Sequence, residues 1–368
     1  MAAARDEVTA APARERGWGR TLVAFAAALL VAAAAAWPPA VQPLAALVRV
    51  LVPVQETMLL VVPAVAACAL VGWWAGGRLV LALVWLAFAA FVVTQHVPGR
   101  SDAYTALARG WALILAGAFG GACVLGGVGR PFVGRGLSAV AVAFVVGTSG
   151  LALAGRPPAQ VTAVVQAEYE RRVERSLAMW RKHAKSTAWR RGTDLSTTAR
   201  AASAVDGLAA LPASAVRVAP ALLGLESLAA LALAWSLYHR LGRVRLGAPL
   251  ARLAEFRFND QLVWGVVAGA TLVVLPSLAE FRAAGVNVLL FFGALYALRG
   301  LGVLRWWADG WLAGLGAAGA VLAAALLVPL VGVALPATLL GVAALALGLG
   351  DTLAGWRSRP RSQVVGRS

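Results

Sequence analysis

Long apolar runs decide what this chain can become. Eleven hydrophobic stretches follow one another between residues 21 and 350. Most approach the roughly twenty residues that carry a helix across a hydrocarbon core. Apolar side chains make up 61% of the sequence and charged ones 13%, against a usual balance of roughly half and a quarter. A water-soluble domain could not hide that much apolar surface. The expected class is an all-α, polytopic membrane bundle.

One stretch breaks the pattern. Residues 156–215, with Arg217, carry eleven of the 33 basic residues and alone resemble a soluble protein. Within it Val161, Val165, Tyr169, Val173, Leu177 and Trp180 recur every three or four positions, the period of one helix face. Glu168, Glu170, Arg171, Arg172, Glu174, Arg175, Arg181 and Lys182 fall on the other faces. Glu168 and Arg172 make a favourable i,i+4 pair, and Pro157–Pro158 suits a helix start. A weaker helix is expected over 198–211. The plainest reading is an amphipathic helix on the membrane face or over the bundle. The sharper readings are a lid over a cavity, or a docking face for an envelope partner formed by Val165, Tyr169, Val173, Leu177 and Trp180.

On either side the hydropathy predicts spans over 21–37, 58–74, 79–94, 106–128 and 137–154, then 216–239, 261–278, 285–304, 311–333 and 337–350. The run 41–54 is short and bounded by Pro, which fits an interfacial or re-entrant helix. Arginine placement orients these ten spans. With the N-terminus in the cytoplasm, eighteen arginines fall inside, and only Arg49, Arg100, Arg109 and Arg282 fall in short outer loops. This is a strong positive-inside asymmetry. An eleventh span at 41–54 would flip every later loop and spoil it. Tryptophans such as Trp37, Trp73, Trp74, Trp264 and Trp311 sit near span ends, at the headgroup level that suits an amphipathic ring.

The expected organisation is therefore a disordered cytoplasmic tail over 1–17 and a membrane half over 18–154, with five spans and the interfacial helix. An extracytoplasmic helical insert over 155–215 separates it from a second half of five spans over 216–350. A basic cytoplasmic tail covers 351–368. The arginine-rich, lysine-poor composition looks like a GC-rich bacterial genome, which places the chain in a bacterial inner membrane with both termini inside. The +17 formal charge follows from topology, so no nucleic-acid partner is expected; the lipid bilayer is the expected surrounding.

Residues 256–264 (FRFNDQLVW), 287–307 (NVLLFFGALYALRGLGVLRWW) and 347–357 (LGLGDTLAGWR) follow one another at loop-and-span spacing. Together they resemble the YybS-like family of bacterial multi-pass membrane proteins, through Asn287, Tyr296, the Arg299–Gly300–Leu301 turn, Gly350, Asp351 and Arg357. The chain departs from that family at Arg299, where a neutral polar residue is commoner. The resemblance implies a membrane bundle with a charged insert between two hydrophobic parts. It also implies distant similarity to the S components of energy-coupling-factor transporters, which capture vitamins or metal precursors.

Chemistry-bearing residues are few. Glu226 lies near the middle of the 216–239 span, where an ionised carboxylate costs on the order of a few kcal/mol unless it faces protein or water. It is either a coupling or ligand-contacting carboxylate, or a neutral carboxyl bonded to Ser227 or a neighbouring helix. Asn287 and Arg299 lie about three turns apart on one span, near the same face. Asn287 suits an interhelical hydrogen bond. Arg299 either pairs with an acid or snorkels, with snorkelling expected. Asp351 and Arg357 suit an ion pair at a helix end. Asp260 and Glu56 are read as solvated charges near water. Cys68 and Cys123 read as small apolar core residues, and the three histidines form no metal cluster. Gly314, Gly316 and Gly319 match GxGxxG, but inside an apolar span with no preceding strand, which excludes a dinucleotide site. No catalytic motif, cofactor or metal set emerges. The expected function is small-molecule binding or translocation through Glu226, Asn287 and Arg299, not an enzyme; the alternative is a non-transporting scaffold or assembly protein.

Overall fold

The computed structural model describes residues 50, 53–96, 100–126, 131–184, 212–250, 253–312 and 334–358. The spans expected over 21–37 and 311–333, most of the interfacial helix over 41–54, the weaker insert helix over 198–211 and both tails lie wholly or largely outside them. Every regular element among the described residues is helical. In chain order the α-helices are α1 (Val54–Trp74), α2 (Leu79–Thr94), α3 (Asp102–Leu125), α4 (Phe132–Leu153), α5 (Pro158–Ala184), α6 (Ala219–Leu241), α7 (Val263–Val274), α8 (Arg282–Leu312) and α9 (Ala334–Ala354).

Five helical stretches are long and apolar enough to cross a membrane: Gln55–Trp74, Asp102–Leu125, Phe132–Leu153, Ala219–Leu241 and Pro276–Trp307. At 1.5 Å per residue, twenty residues cover the ~30 Å hydrocarbon core. Val80, Leu83, Val84, Phe88 and Phe91 of α2 stand exposed, as do Trp264 and Val267 of α7. Contiguous apolar surface of this kind suits contact with lipid.

The boundaries have local causes. Helix α1 stops at Gly76, whose φ of 93° is a left-handed conformation. The amide of Gly77 then bonds back to the Gly72 carbonyl at 2.8 Å. Helix α4 ends in the same way at Gly155, with φ 64°, while Arg156 N–H donates to Leu151 O at 3.0 Å. This glycine cap satisfies carbonyls that a helix end leaves bare. Pro158 then occupies the first position of α5, where a missing N–H costs nothing. The expected 261–278 span divides into a 3₁₀ turn (Asp260–Leu262), the twelve-residue α7 and a second 3₁₀ stretch (Pro276–Phe281). Pro276 has no N–H for a helical bond and favours an extended residue before it; Leu275 is extended (φ −75°, ψ 120°), and α7 ends there.

Helix α1 packs against α2, α3 and α6; α6 also reaches α4 and α8; α8 packs against α7 and α9. The first helix after the insert is thus shared between the two hydrophobic parts. The larger core gathers Val65, Cys68, Leu115, Phe119, Phe132, Leu231, Trp235 and Tyr238. A second core holds Phe258, Leu295 and Tyr296. Helices α8 and α9 cross at van der Waals contact between backbones: a Cβ on Gly300 would collide with the Ala344 carbonyl, and one on Gly348 with the Tyr296 carbonyl. Small residues let membrane helices approach this closely.

Candidate functional site

Three elements bring charge together beneath α5. Glu56 lies in the first turn of α1, where a carboxylate complements the helix dipole. Arg100 precedes α3, and the Ser101 Oγ caps that helix by accepting the Tyr104 amide at 3.3 Å. Tyr104 is therefore held in the first turn of α3. Glu168 and Arg172 project from the middle of α5, and both are buried.

Arg172 sits at the centre. Its Nε donates to Glu168 Oε1 at 3.1 Å and its Nη1 to the Val50 carbonyl at 3.3 Å. Its Nη2 donates to Glu56 Oε1 and, at 2.7 Å, to the Tyr104 hydroxyl. Arg100 Nη2 also reaches Glu56 Oε1, at 2.9 Å, and Arg171 Nη2 lies 2.6 Å from Glu168 Oε2. The Tyr104 ring carries the guanidiniums of Arg100 and Arg172 at 5.5 and 5.3 Å from its centre, a cation–π geometry. Burial by itself disfavours a charged Arg172; Glu56, Tyr104 and Glu168 outweigh it and hold the guanidinium above its ordinary range. Burial also pushes the Tyr169 hydroxyl up, against the nearby Arg172 and with help from Glu56 and Glu226.

Glu226 belongs to α6. It lies in the field of Glu56 and Arg172, yet its Oε1 is buried without a hydrogen-bond partner among the described residues. Ser227, the neighbour that could have bonded to it, instead accepts from Trp111 Nε1 at 2.9 Å. The Trp111 indole is itself packed edge-on against Phe144 at 4.8 Å.

Asn287 and Arg299 lie elsewhere. Asn287 Oδ1 accepts the Ala221 amide at 3.0 Å, while its Nδ2 donates to the carbonyls of Arg217 and Ala283, each at 2.9 Å. It therefore ties α8 to the start of α6, satisfying an amide that a first helical turn leaves bare. Arg299 does not snorkel. It is buried, and its Nε and Nη1 donate to Asp351 Oδ2 at 3.0 Å and to Asp260 Oδ1 at 2.7 Å. Arg357 Nη2 meets the same Asp351 oxygen at 2.7 Å, and Arg357 Nη1 holds the Ala254 carbonyl at 2.9 Å. The three expected ligand contacts thus occupy three environments, and only Glu226 retains an unmet hydrogen-bonding atom.

The expected docking face turns to its own chain. Val173 and Leu177 are buried, Val165 and Tyr169 are half-buried, and Trp180 continues α5 beyond them. Glu168 and Arg172, read from the sequence as lying on the other faces, are buried too, as is Ser176. Glu56, expected near water, is buried inside the α5 cluster, whereas Asp260 is exposed as expected and reaches Arg299 from the solvent side. The one sequence signal for this arrangement was the Glu168–Arg172 spacing. Its partners lie from 68 to 122 residues away.

The described part of the chain is therefore an all-helical protein with helices fit to cross a membrane, carrying a buried ionic cluster under an amphipathic helix. Comparison with protein families, characterised proteins and solved structures yields no match.

Proposed function

We propose that this is an integral membrane protein that binds a small molecule beneath α5, which acts as a lid. The observation that carries the reading is the buried, unpartnered Oε1 of Glu226 next to a cluster whose other acids are ion-paired. A buried polar atom without a partner costs about 1–3 kcal/mol, and a ligand or ordered water that meets it recovers that cost. The lid reading is favoured over partner docking because Val173 and Leu177 are already buried. A scaffold that docks an envelope protein would have to use the exposed Glu170, Glu174 and Arg175 instead.

In the full reading, ten spans form two halves of a bacterial inner-membrane bundle, with α5 outside and both termini in the cytoplasm. Arginine placement supports it. The described helices support it too, since Glu56, α5 and Asn287 lie at one end, and Arg299, Asp351 and Arg357 at the other. Kinship with YybS-like proteins and with transporter S components rests on the C-terminal segments and their spacing.

Native mass spectrometry of the detergent-purified protein tests the ligand. The wild type is expected to retain a small molecule that Glu226→Gln loses, with the variant still monodisperse and folded. An equal adduct on both forms, or none on the wild type, contradicts the proposal.

A further inference from the structure

Beyond the last turn of α6 the chain runs without helix over 242–250, yet its backbone is pinned at every second residue. The Tyr238 hydroxyl donates to the Val244 carbonyl at 2.9 Å, Arg135 Nη1 to the Leu246 carbonyl at 2.7 Å, and Trp235 Nε1 to the Ala248 carbonyl at 3.2 Å. All three donor residues are buried, and Leu246 itself joins the larger core. The Arg135 guanidinium lies over the Trp235 ring at 5.1 Å. Gly247 crosses it so closely that a Cβ there would stand 2.9 Å from Nη1. Surface loops more often leave such carbonyls to water. Three buried side chains directed at one short segment fix its path.

With these carbonyls turned inward, Arg240, Arg243 and Arg245 are left exposed. Residues 240–250 contain no Asp or Glu, and none of the three arginines makes an ion pair among the described residues. The segment sits where two helices fit to cross a membrane come to an end, α6 at Leu241 and α1 at Trp74. Gly72 of α1 lies directly against the Tyr238 hydroxyl, which puts the exposed Trp73 and Trp74 at the same level. Such tryptophans mark the headgroup layer. This is the end of α1 away from Glu56, so the site is separate from the ligand proposed beneath α5. An arginine that only sets topology needs to lie in the right loop; it has no need of a pinned backbone.

We infer that the pinned segment is a binding site for the phosphate of an anionic phospholipid headgroup, with Arg240, Arg243 and Arg245 as its donors. A planar guanidinium meets two phosphate oxygens at once, and a cluster of basic residues beside a membrane-crossing helix is drawn to anionic lipid. A zwitterionic lipid brings its own ammonium, which the three unpaired arginines disfavour.

Thermal unfolding in detergent with added phosphatidylglycerol or phosphatidylcholine at equal mole fraction tests the site, with soluble glycerol phosphate as a third arm. Phosphatidylglycerol is expected to raise the wild-type midpoint beyond the other two. Changing Arg240, Arg243 and Arg245 together to glutamine should weaken the apparent affinity for phosphatidylglycerol by about tenfold or more, since each basic residue at an anionic surface contributes about fivefold. Changing Arg156 and Arg282, two arginines exposed elsewhere, to glutamine should leave the response intact. Tyr238→Phe keeps every charge but releases the Val244 carbonyl, and should weaken the response by about threefold. Should the triple variant fail to fold, Tyr238→Phe and the three-arm contrast on the wild type still decide. No preference for phosphatidylglycerol in the wild type, an undiminished response in the triple variant or in Tyr238→Phe, or an equal loss in the Arg156 and Arg282 variant overturns the inference. An equal shift with glycerol phosphate overturns the lipid as the occupant.

Discussion

Replacing Asp351 by asparagine is expected to cost about 3–5 kcal/mol, because it leaves two buried guanidiniums without their shared counter-charge. The side chains of Arg299 and Arg357 are 4% and 2% exposed, and both bind Asp351 Oδ2. Asp260 offers Arg299 a second acceptor, but its own side chain is 65% exposed, and a half-solvated partner contributes little. Asp260→Asn is accordingly expected to cost less than about 1 kcal/mol. The cluster joins α8, the end of α9, the Arg357 turn and, through Ala254, the segment before α7. Asp351→Asn should therefore also open the chain to limited proteolysis around Trp356. Thermal unfolding of the two variants side by side checks the ranking. Equal costs would mean that Asp351 is not the hub.

The second large effect is expected at Arg172. Replacing it with methionine removes the guanidinium that Glu56 and Glu168 share, leaving Glu56 to Arg100 and Glu168 to Arg171. The charge-assisted hydrogen bonds it loses are worth about 1.5–3 kcal/mol, and α5 should be held less firmly to α1 and α3. Arg175 provides the contrast, since it reaches Glu168 only at 3.7 Å and its side chain is 52% exposed. Arg175→Ala should fall within about 1 kcal/mol of the wild type. Combining Glu56→Gln with Arg172→Met removes charge of both signs, so the pair should cost less than the sum of the single changes. Unfolding midpoints, together with protease sensitivity of α5, supply the measurement. A methionine variant no less stable than Arg175→Ala contradicts the placement of Arg172 at the centre of the cluster.

Hydropathy made much of the fold legible. The span expected over 79–94 coincides with α2, and the helix expected to start at Pro157–Pro158 begins at Pro158. Both rest on local rules, a continuous apolar run and a proline at the first helical position. Five helices match the length and composition of membrane crossings; the count of ten belongs to the proposal. The 261–278 run misled because hydropathy does not register that Pro276 ends α7. The helix is twelve residues long, about 18 Å at helical rise.

The site was less legible, for a physical reason. On α5 the apolar period located one face, and the charges were assigned to water by contrast. That contrast holds only when the surface facing the helix is apolar. Here it carries Glu56, Arg100 and Tyr104, so Glu168, Arg172 and Ser176 turn inward beside Val173 and Leu177. Arg299 was misread in the same way, because a lone arginine near a span end looks like a snorkelling one until Asp351 arrives 52 residues later. Asn287 was legible, since an amide in an apolar setting has few uses besides bonding another helix. Glu226 was conspicuous by itself, but its neighbours were not.

The account depends on α5 and the Asp351 end facing opposite compartments. Single cysteines in place of Glu174, exposed on α5, and of Ser368 in the C-terminal tail test this with a membrane-impermeant maleimide on intact cells. Cys68 and Cys123 are buried and should contribute little background. Labelling of Glu174→Cys before permeabilisation, and of Ser368→Cys only after it, is the predicted result. Labelling of both in intact cells, or of neither, would put the two ends in one compartment and contradict the fold's placement in the membrane.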